Sequence, residues 1–299
     1  MLKQLSRLAL EQMLDKLVAE YRLQVPQHLA DGTRQLAPYG DGELSLSGDA
    51  LHRKPTTHFF PQIEKLLDID ASGAVTLPLS ADKPLALFGL NGADLAGVTF
   101  LDRFFMAVPA DDAYLRNRNG ALLIGLTGAP GPDNSSLPLS AGDCDIELIA
   151  IKDCWLALGY SATGEKVLVD FPDGAPEKLT ALRKFSDSFA GHQDLLQQAS
   201  RLLVEDRIPE QFWTEIADRC ILCSGCNLVC PTCNCFGVQD RTSEHGTERS
   251  RVWDSCQLDA FMREASGHNP LGTEALRTRR RIHHKLVADV ERWGEIGSY

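Results

Sequence analysis

Nine cysteines are spread unevenly along this 299-residue chain: six fall between Cys220 and Cys235, and a seventh follows at Cys256. The first four, Cys220, Cys223, Cys226 and Cys230, read C-x2-C-x2-C-x3-C and are followed at once by Pro231. That is the spacing of a thiolate run that grips a cubane iron–sulfur cluster. Three thiolates two residues apart wrap a short loop around one cluster face, and the proline turns the chain away. One [4Fe–4S] cluster is therefore expected, with Cys220, Cys223 and Cys226 as ligands and Cys230 favoured as the fourth. Cys256, Cys233 and Cys235 are the alternatives for that place. A structural zinc site fits less well, because zinc prefers two C-x2-C pairs separated by a longer insert. A dithiol at Cys233 and Cys235 has only one residue between its sulfurs, which is tight for a disulfide. Cys144 and Cys154 stand apart and read as small buried hydrophobes.

Nothing else in the chain competes for chemistry. There is no HExxH, no nucleophile–base pair and no phosphate loop. The turn at Gly89 and Gly92 is not G-x-G-x-x-G, so its glycines read as turn formers. His58, set among apolar residues, reads as a packed histidine. A chain with a cluster loop and no substrate site is expected to pass electrons and to leave catalysis to another subunit.

The bulk composition agrees. A net charge of −11 argues against a nucleic-acid partner. From Cys220 onward, ten Lys/Arg balance ten Asp/Glu, so the acidic excess lies before the cysteine run. No apolar run reaches the length of a membrane span, and the N-terminus has no uninterrupted apolar segment of the secretory kind. The expected location is the cytoplasm, where clustered cysteines bind metal or do redox work more often than they form disulfides.

The elements that position the loop can be read from periodicity. Lys3 to Arg22 has helical spacing. Pro26 to Gly48 reads as loop with short strands, and Pro55 to Leu67 as an irregular lead into a short helix. Pro84 to Leu90 reads as a buried strand, Asp94 to Phe105 as a helix and Ala121 to Leu126 as a second buried strand, the pattern of a parallel βαβ unit. After a Gly/Pro/Ser-rich loop from Thr127 to Asp143, strand-like runs follow at Asp145–Lys152, Cys154–Tyr160 and Lys166–Val169, with a hairpin turn at Ser161–Gly164. Pro176 to Val204 reads as helix, and a helix opening at Pro209 delivers the chain to Cys220. Beyond the cysteines, Gln257 to Ala265 predicts a short helix closed by Gly267, and Thr273 to Trp293 a longer one. Arg277, Arg279, Arg280, Arg281 and Lys285 line that last helix, a basic face that could dock an acidic partner or steer an electron donor, is more often solvated, and beside an anionic cluster would compensate its charge. The expected fold is α+β: a mixed α/β domain over residues 1–205 for support or docking, then a small helical ferredoxin-like iron–sulfur domain over residues 206–299.

The stretches Cys220-x2-Cys223-x-Gly-Cys226-Asn-Leu-Val-Cys230-Pro-Thr-Cys233-x-Cys235-Phe, Trp253-Asp-Ser-Cys256 and Arg277-x-Arg279-Arg280-Arg281-x-x-His284-Lys285 resemble a known family. It is that of the iron–sulfur electron-transfer subunits of sulfhydrogenases, where this is the beta subunit, and of anaerobic sulfite reductases. Leu87-Phe-Gly89-Leu-x-x-x-Asp94-Leu and Leu101-Asp102-Arg resemble the same family's N-terminal domain. The resemblance implies two [4Fe–4S] clusters and a relay between a flavin- or NAD(P)-binding subunit and a catalytic hydrogenase or reductase subunit. The family usually carries a second ferredoxin motif after the basic helix. This chain reaches Gly297-Ser298-Tyr299 about where that motif would begin, so a second cluster is expected only with ligands from elsewhere. The family also tends to carry cysteines after the Gly89 and Ile124 strands. Here those segments hold none, which implies a scaffold or docking role for the N-terminal domain.

Overall fold

A computed structural model describes residues 1–47, 51–128, 139–140, 142–151, 154–180 and 191–297. In chain order the elements are β1 (Leu2–Ser6), α1 (Arg7–Glu20), β2 (Arg22–His28), β3 (Arg34–Pro38), a 3-10 turn (Pro55–His58), β4 (Ile63–Asp70) and β5 (Val75–Thr76). There follow β6 (Leu85–Leu90), α2 (Gly92–Phe105), α3 (Asp112–Arg118), β7 (Leu122–Thr127), β8 (Ile146–Ile151), β9 (Cys154–Gly159) and α4 (Ala162–Leu168). The last third contributes α5 (Gly191–Val204), α6 (Glu210–Ala217), the one-turn α7 (Gly225–Leu228), β10 (Phe236–Ser243), β11 (Gly246–Trp253), α8 (Glu274–His283) and α9 (Asp289–Trp293). The class is α+β, as the sequence predicts. Two compact units emerge: Met1–Phe59 with Ser80–Ala190, and Phe60–Leu79 with Gly191–Tyr299.

The first unit is built on a seven-stranded sheet in the order β1-β9-β8-β7-β6-β2-β3. β2, β6, β7 and β8 pair in parallel, and the outer pairings are antiparallel. Every residue of β6 and β7 is buried, the signature of a parallel strand covered on both faces. The expected βαβ unit is β6–α2–β7, and Asn91 caps α2 by accepting the Asp94 N–H at 2.8 Å. Leu10, Met13, Leu14 and Leu17 of α1 join Leu23, Phe88, Ile124 and Leu148 in one core. Gly89 lies at φ +82°, and a Cβ there would sit 2.5 Å from Pro26 Cγ. The β6–β7 register shifts at this point, so the glycine makes the bulge possible.

Several local expectations give way. The predicted Lys3–Arg22 helix starts only at Arg7, because Leu2–Ser6 pairs along β9 as an edge strand. Ser161–Gly164 is no hairpin turn: Ser161 caps α4, and the expected strand at Lys166–Val169 is largely that helix. Ser and Thr beside Gly serve turns and helix starts equally well, and burial of Leu168 decides between them. The lead into a helix at Pro55–Leu67 becomes a 3-10 turn followed by β4. Gln257–Ala265 contains only a 3-10 turn at Ala260–Met262. Pro209 is the cap residue of α6 and precedes its first turn. His58 is packed as expected, and burial holds its imidazole down to about 4. Cys144 is buried and Cys154 half-buried. Residues 181–190, inside the Pro176–Val204 reading, and most of the Thr127–Asp143 loop lie outside the described residues.

The second unit holds α5 to α9 and a four-stranded antiparallel sheet in the order β10-β11-β4-β5. The sequence announces no strand between Phe236 and Trp253, yet β10 and β11 form a hairpin with eight residues in each strand. Arg251, only 1% exposed, pairs with Glu64 of β4 and lies over the rings of Phe60 and Phe236 at 4.7 and 5.2 Å. Trp253 Nε1 donates to the Phe60 carbonyl at 3.1 Å. No helix among the described residues is long and apolar enough to cross a membrane.

Candidate metal centre

Three elements of the second unit hold the seven clustered cysteines. The α6 helix ends at Ala217, and the Cys220 N–H closes its last turn on the Ala217 carbonyl at 2.9 Å. The loop that follows is wound tightly. Leu222 and Ser224, on either side of Cys223, both have positive φ, at 55° and 58°. Non-glycine residues in that region store strain, and such strain persists where surrounding structure over-determines it. The α7 turn then carries Cys226, and Thr232 and Cys233 are buried below it.

The β10–β11 hairpin accounts for the remaining two. Its register pairs Phe236 with Trp253, and the Asp254 N–H donates to the Cys235 carbonyl at 3.0 Å. Cys235 and Cys256 thereby meet across the open end of the hairpin.

The last helix supplies cations. α8 and α9 are joined by a π turn at His284–Ala288, so the predicted Thr273–Trp293 helix is continuous with one widened turn. Thr273 caps it by accepting the Leu276 N–H at 3.3 Å. Arg277 is buried against Asp259 and Glu274, and Arg279 pairs with Asp206 and Glu210. Arg281 turns to the thiols. Its Nη1 donates to Cys233 Sγ at 3.2 Å and to Asn227 Oδ1 at 2.6 Å, and its Nη2 to the Cys226 carbonyl. Asn227 passes the contact on, donating from Nδ2 to Cys256 Sγ at 3.3 Å. Lys285, 7% exposed, donates to the Thr232 carbonyl at 3.1 Å and to Asp289 at 3.3 Å.

The sulfurs fall into two settings. Cys223 and Cys226 are exposed and Cys220 is half-buried, whereas Cys233 and Cys256 are buried. A hydrogen bond from Cys233, with Lys285 nearby, holds the Cys230 thiol well below its usual range, to about 4, and raises Cys233 in turn. Cys235 does the same for Cys256, which is pulled down to about 5 with help from Asn227. Burial raises Cys226 against the pull of Arg281.

The donor set suits an iron–sulfur cluster: clustered thiols, two of them (Cys230 and Cys256) favouring the thiolate, with N–H donors from Asn227 and the half-buried Arg281 aimed at sulfur. Among the described residues no group of three or more His, Cys, Asp or Glu side chains is gathered closely enough to hold a single metal ion. A tetrahedral zinc would bring its sulfurs within about 3.8 Å of each other, from Zn–S bonds of about 2.3 Å. A cubane takes each ligand on a different iron and so accepts thiols spread around a larger body.

Residues 219–298 match the sequence profile of a 4Fe–4S dicluster domain. This segment is a 4Fe–4S dicluster domain. Over 260 residues the chain is 27% identical to the sulfhydrogenase 2 subunit beta of Pyrococcus furiosus, an alignment covering 83% of this chain and 77% of that protein. It is a distant homologue of that protein over most of its length. No solved structure matches the chain. All seven clustered cysteines, Arg281 and Lys285 lie inside the dicluster domain. The structure brings Cys256 to the run, which sequence spacing leaves as one alternative among three. Asn227 enters the sequence reading only as one position of the quoted motif, since nothing in its spacing shows that its side chain reaches Cys256. The basic helix does carry one, and two of its five cations are the ones that face the cysteine run.

Proposed function

We propose that this chain is a non-catalytic electron-transfer subunit of a cytoplasmic oxidoreductase complex, of hydrogenase or sulfur/sulfite reductase type. A [4Fe–4S] cluster bound by Cys220, Cys223, Cys226 and Cys230 is the relay. The carrying observation is the cubane spacing of those four cysteines inside a dicluster domain in which Arg281 donates to a thiol of the same run. Homology to a sulfhydrogenase beta subunit supports the same reading and points to partner subunits in a complex; the family resemblance extends these to a flavin- or NAD(P)-binding subunit and a catalytic one.

The cluster, when bound, accepts and releases one electron at a time. The chain's own residues do the rest. The strained loop at Leu222–Ser224 fixes the spacing of the thiolates. Arg281 and Lys285 offset their negative charge from the buried side. On the outer side Ile221 is 84% and Val229 61% exposed, next to the exposed Cys223 and Cys226. No charged residue lies between Cys220 and Gln239. That leaves the accessible edge apolar, so a partner's redox group can approach without stripping water from charges.

Anaerobic purification followed by iron and zinc analysis, and EPR of the dithionite-reduced protein, tests this. Iron at about four atoms or more per chain with a reduced-cubane signal is expected. Zinc in place of iron, with no visible absorbance, would overturn it and leave a zinc-stabilised assembly module of such a complex. A metal-free chain that still assembles its complex would leave a purely structural subunit.

A further inference from the structure

One buried hydroxyl touches the sulfur of the fourth ligand. Thr232 is 0% exposed, two residues after Cys230, on a turn that the Cys233 N–H closes by donating to the Cys230 carbonyl at 3.2 Å. Its Oγ1 lies 3.1 Å from Cys230 Sγ and 2.5 Å from the Gly297 carbonyl oxygen. With water excluded, these are the groups its hydroxyl can reach among the described residues. We propose that Thr232 is a positioning residue that donates an O–H hydrogen bond to the Cys230 sulfur when that sulfur holds the cluster, and that this bond sets how readily the cluster is reduced. The inference rests on the electron-transfer reading, with Cys230 as a ligand, and goes beyond it.

Counting protons decides which way the bond runs. A threonine hydroxyl has one proton to give and lone pairs with which to accept. A protonated Cys230 could donate to Thr232 Oγ1 and leave the hydroxyl proton for Gly297. A thiolate, the form that binds metal, can only accept. The 3.1 Å contact between sulfur and oxygen is then a hydrogen bond only if the hydroxyl proton points to Cys230. Gly297 keeps its place without that proton, because its own N–H donates to the Lys285 carbonyl at 2.9 Å.

The surroundings hold Thr232 in position for this bond. Lys285, carried on the widened turn His284–Ala288, donates from Nζ to the Thr232 carbonyl at 3.1 Å and to Asp289 at 3.3 Å, so a buried ammonium pins the threonine backbone. Gly297 packs on the same Asp289: a Cβ there would sit 1.9 Å from Asp289 Oδ2, so glycine is what lets this backbone approach Thr232. Threonine is β-branched and stiff at χ1, which keeps Oγ1 aimed at the sulfur. A donor to a ligand sulfur stabilises the more negative, reduced form and raises the potential.

The test is an EPR-monitored redox titration of the full-length protein, reconstituted anaerobically with iron and sulfide, with iron content measured on each sample. Thr232→Val keeps the shape and removes the proton. It is expected to hold as much iron as the wild type and to be harder to reduce, by about tenfold in the reduction equilibrium, or about 59 mV for one electron. Thr232→Ser is expected to restore most of that shift. Thr278→Val makes the same change at a buried hydroxyl with no hydrogen-bond partner among the described residues, and is expected to leave the potential unchanged. If Thr232→Val loses its iron, Thr232→Ala, which adds no bulk, provides the same comparison. A valine variant with the wild-type potential would overturn the donor role. So would a shift that serine does not reverse or that Thr278→Val reproduces. Each of these results leaves the electron-transfer reading standing, whereas a wild type that binds no iron removes both.

Discussion

The hairpin that joins Cys235 to Cys256 depends on a buried charge, and Glu64→Ala tests that dependence. Arg251 is 1% exposed, and its carboxylate partner Glu64 is 9% exposed at the side chain. Removing one member of a desolvated pair leaves the other uncompensated, which costs about 3–5 kcal/mol. Two ring contacts soften the loss here. Phe60 and Phe236 lie under the guanidinium at 4.7 and 5.2 Å, and such contacts contribute about 0.5–2 kcal/mol when shielded from water. They keep Arg251 in place, so the lower end applies: about 3 kcal/mol, or roughly a hundredfold in the folded-to-unfolded ratio. Glu64 sits on β4 and Arg251 on β11, which pairs with both β4 and β10, so the damage falls on the hairpin end that presents both thiols. Urea unfolding of the metal-free protein measures the cost, and iron retained after gel filtration measures the effect on the site. The paired variant Glu64→Ala/Arg251→Met should recover much of the stability, because a packed apolar pair replaces a buried ion pair at little cost. A single-variant cost under about 1 kcal/mol would refute the reasoning, as would a paired variant less stable than the sum of its singles.

Arg281→Gln keeps every thiol but removes the donor to Cys233, and loss of such an outer partner lowers metal affinity about 10–100-fold; iron loss to a chelator over time reads this out. Gly89→Ala places a Cβ 2.5 Å from Pro26 Cγ on a backbone at φ +82°, so a cost of about 1–3 kcal/mol is expected in thermal unfolding. Burial raises the Asp94 carboxyl to about 6, against the pull of the Asn91 N–H and Arg34. The folded state therefore holds this proton more tightly than the unfolded chain, and the group's contribution to stability falls as pH rises from about 4 to about 6. Asp94→Asn should be the more stable protein above pH 6 and lose that advantage below pH 4, read by urea midpoints across the range.

The parallel centre of the first sheet is legible in the sequence because Leu85–Leu90 and Leu122–Thr127 are buried on both faces, and continuous apolar runs bounded by glycine announce such strands. Leu2–Ser6 is not, since an edge strand that runs into a capped helix shows one unbroken helical period. β4 is hidden for a similar reason. Ile63-Glu-Lys-Leu-Leu reads as helix by propensity, and only pairing to β11, about 180 residues further on, makes it a strand.

The site divides in the same way between local and distant information. The proposed ligands Cys220, Cys223, Cys226 and Cys230 are read from spacing alone, because one short loop carries all four. Cys256 lies 21 residues beyond Cys235, and nothing in that interval repeats the motif. What joins them is the hairpin: with Ser243 paired to Gly246, each further pair outward is fixed, until Phe236 meets Trp253. Cys235 and Cys256 then follow as the first cysteines on either side of the paired strands. The glycine that permits this turn, Gly246, has φ +133°, and a Cβ there would meet the Ile69 carbonyl at 2.1 Å. The position of two thiols thus depends on a backbone requirement about ten residues from either of them. A substitution at Gly246 would reach the metal centre through the register of the sheet, with no contact to sulfur at all.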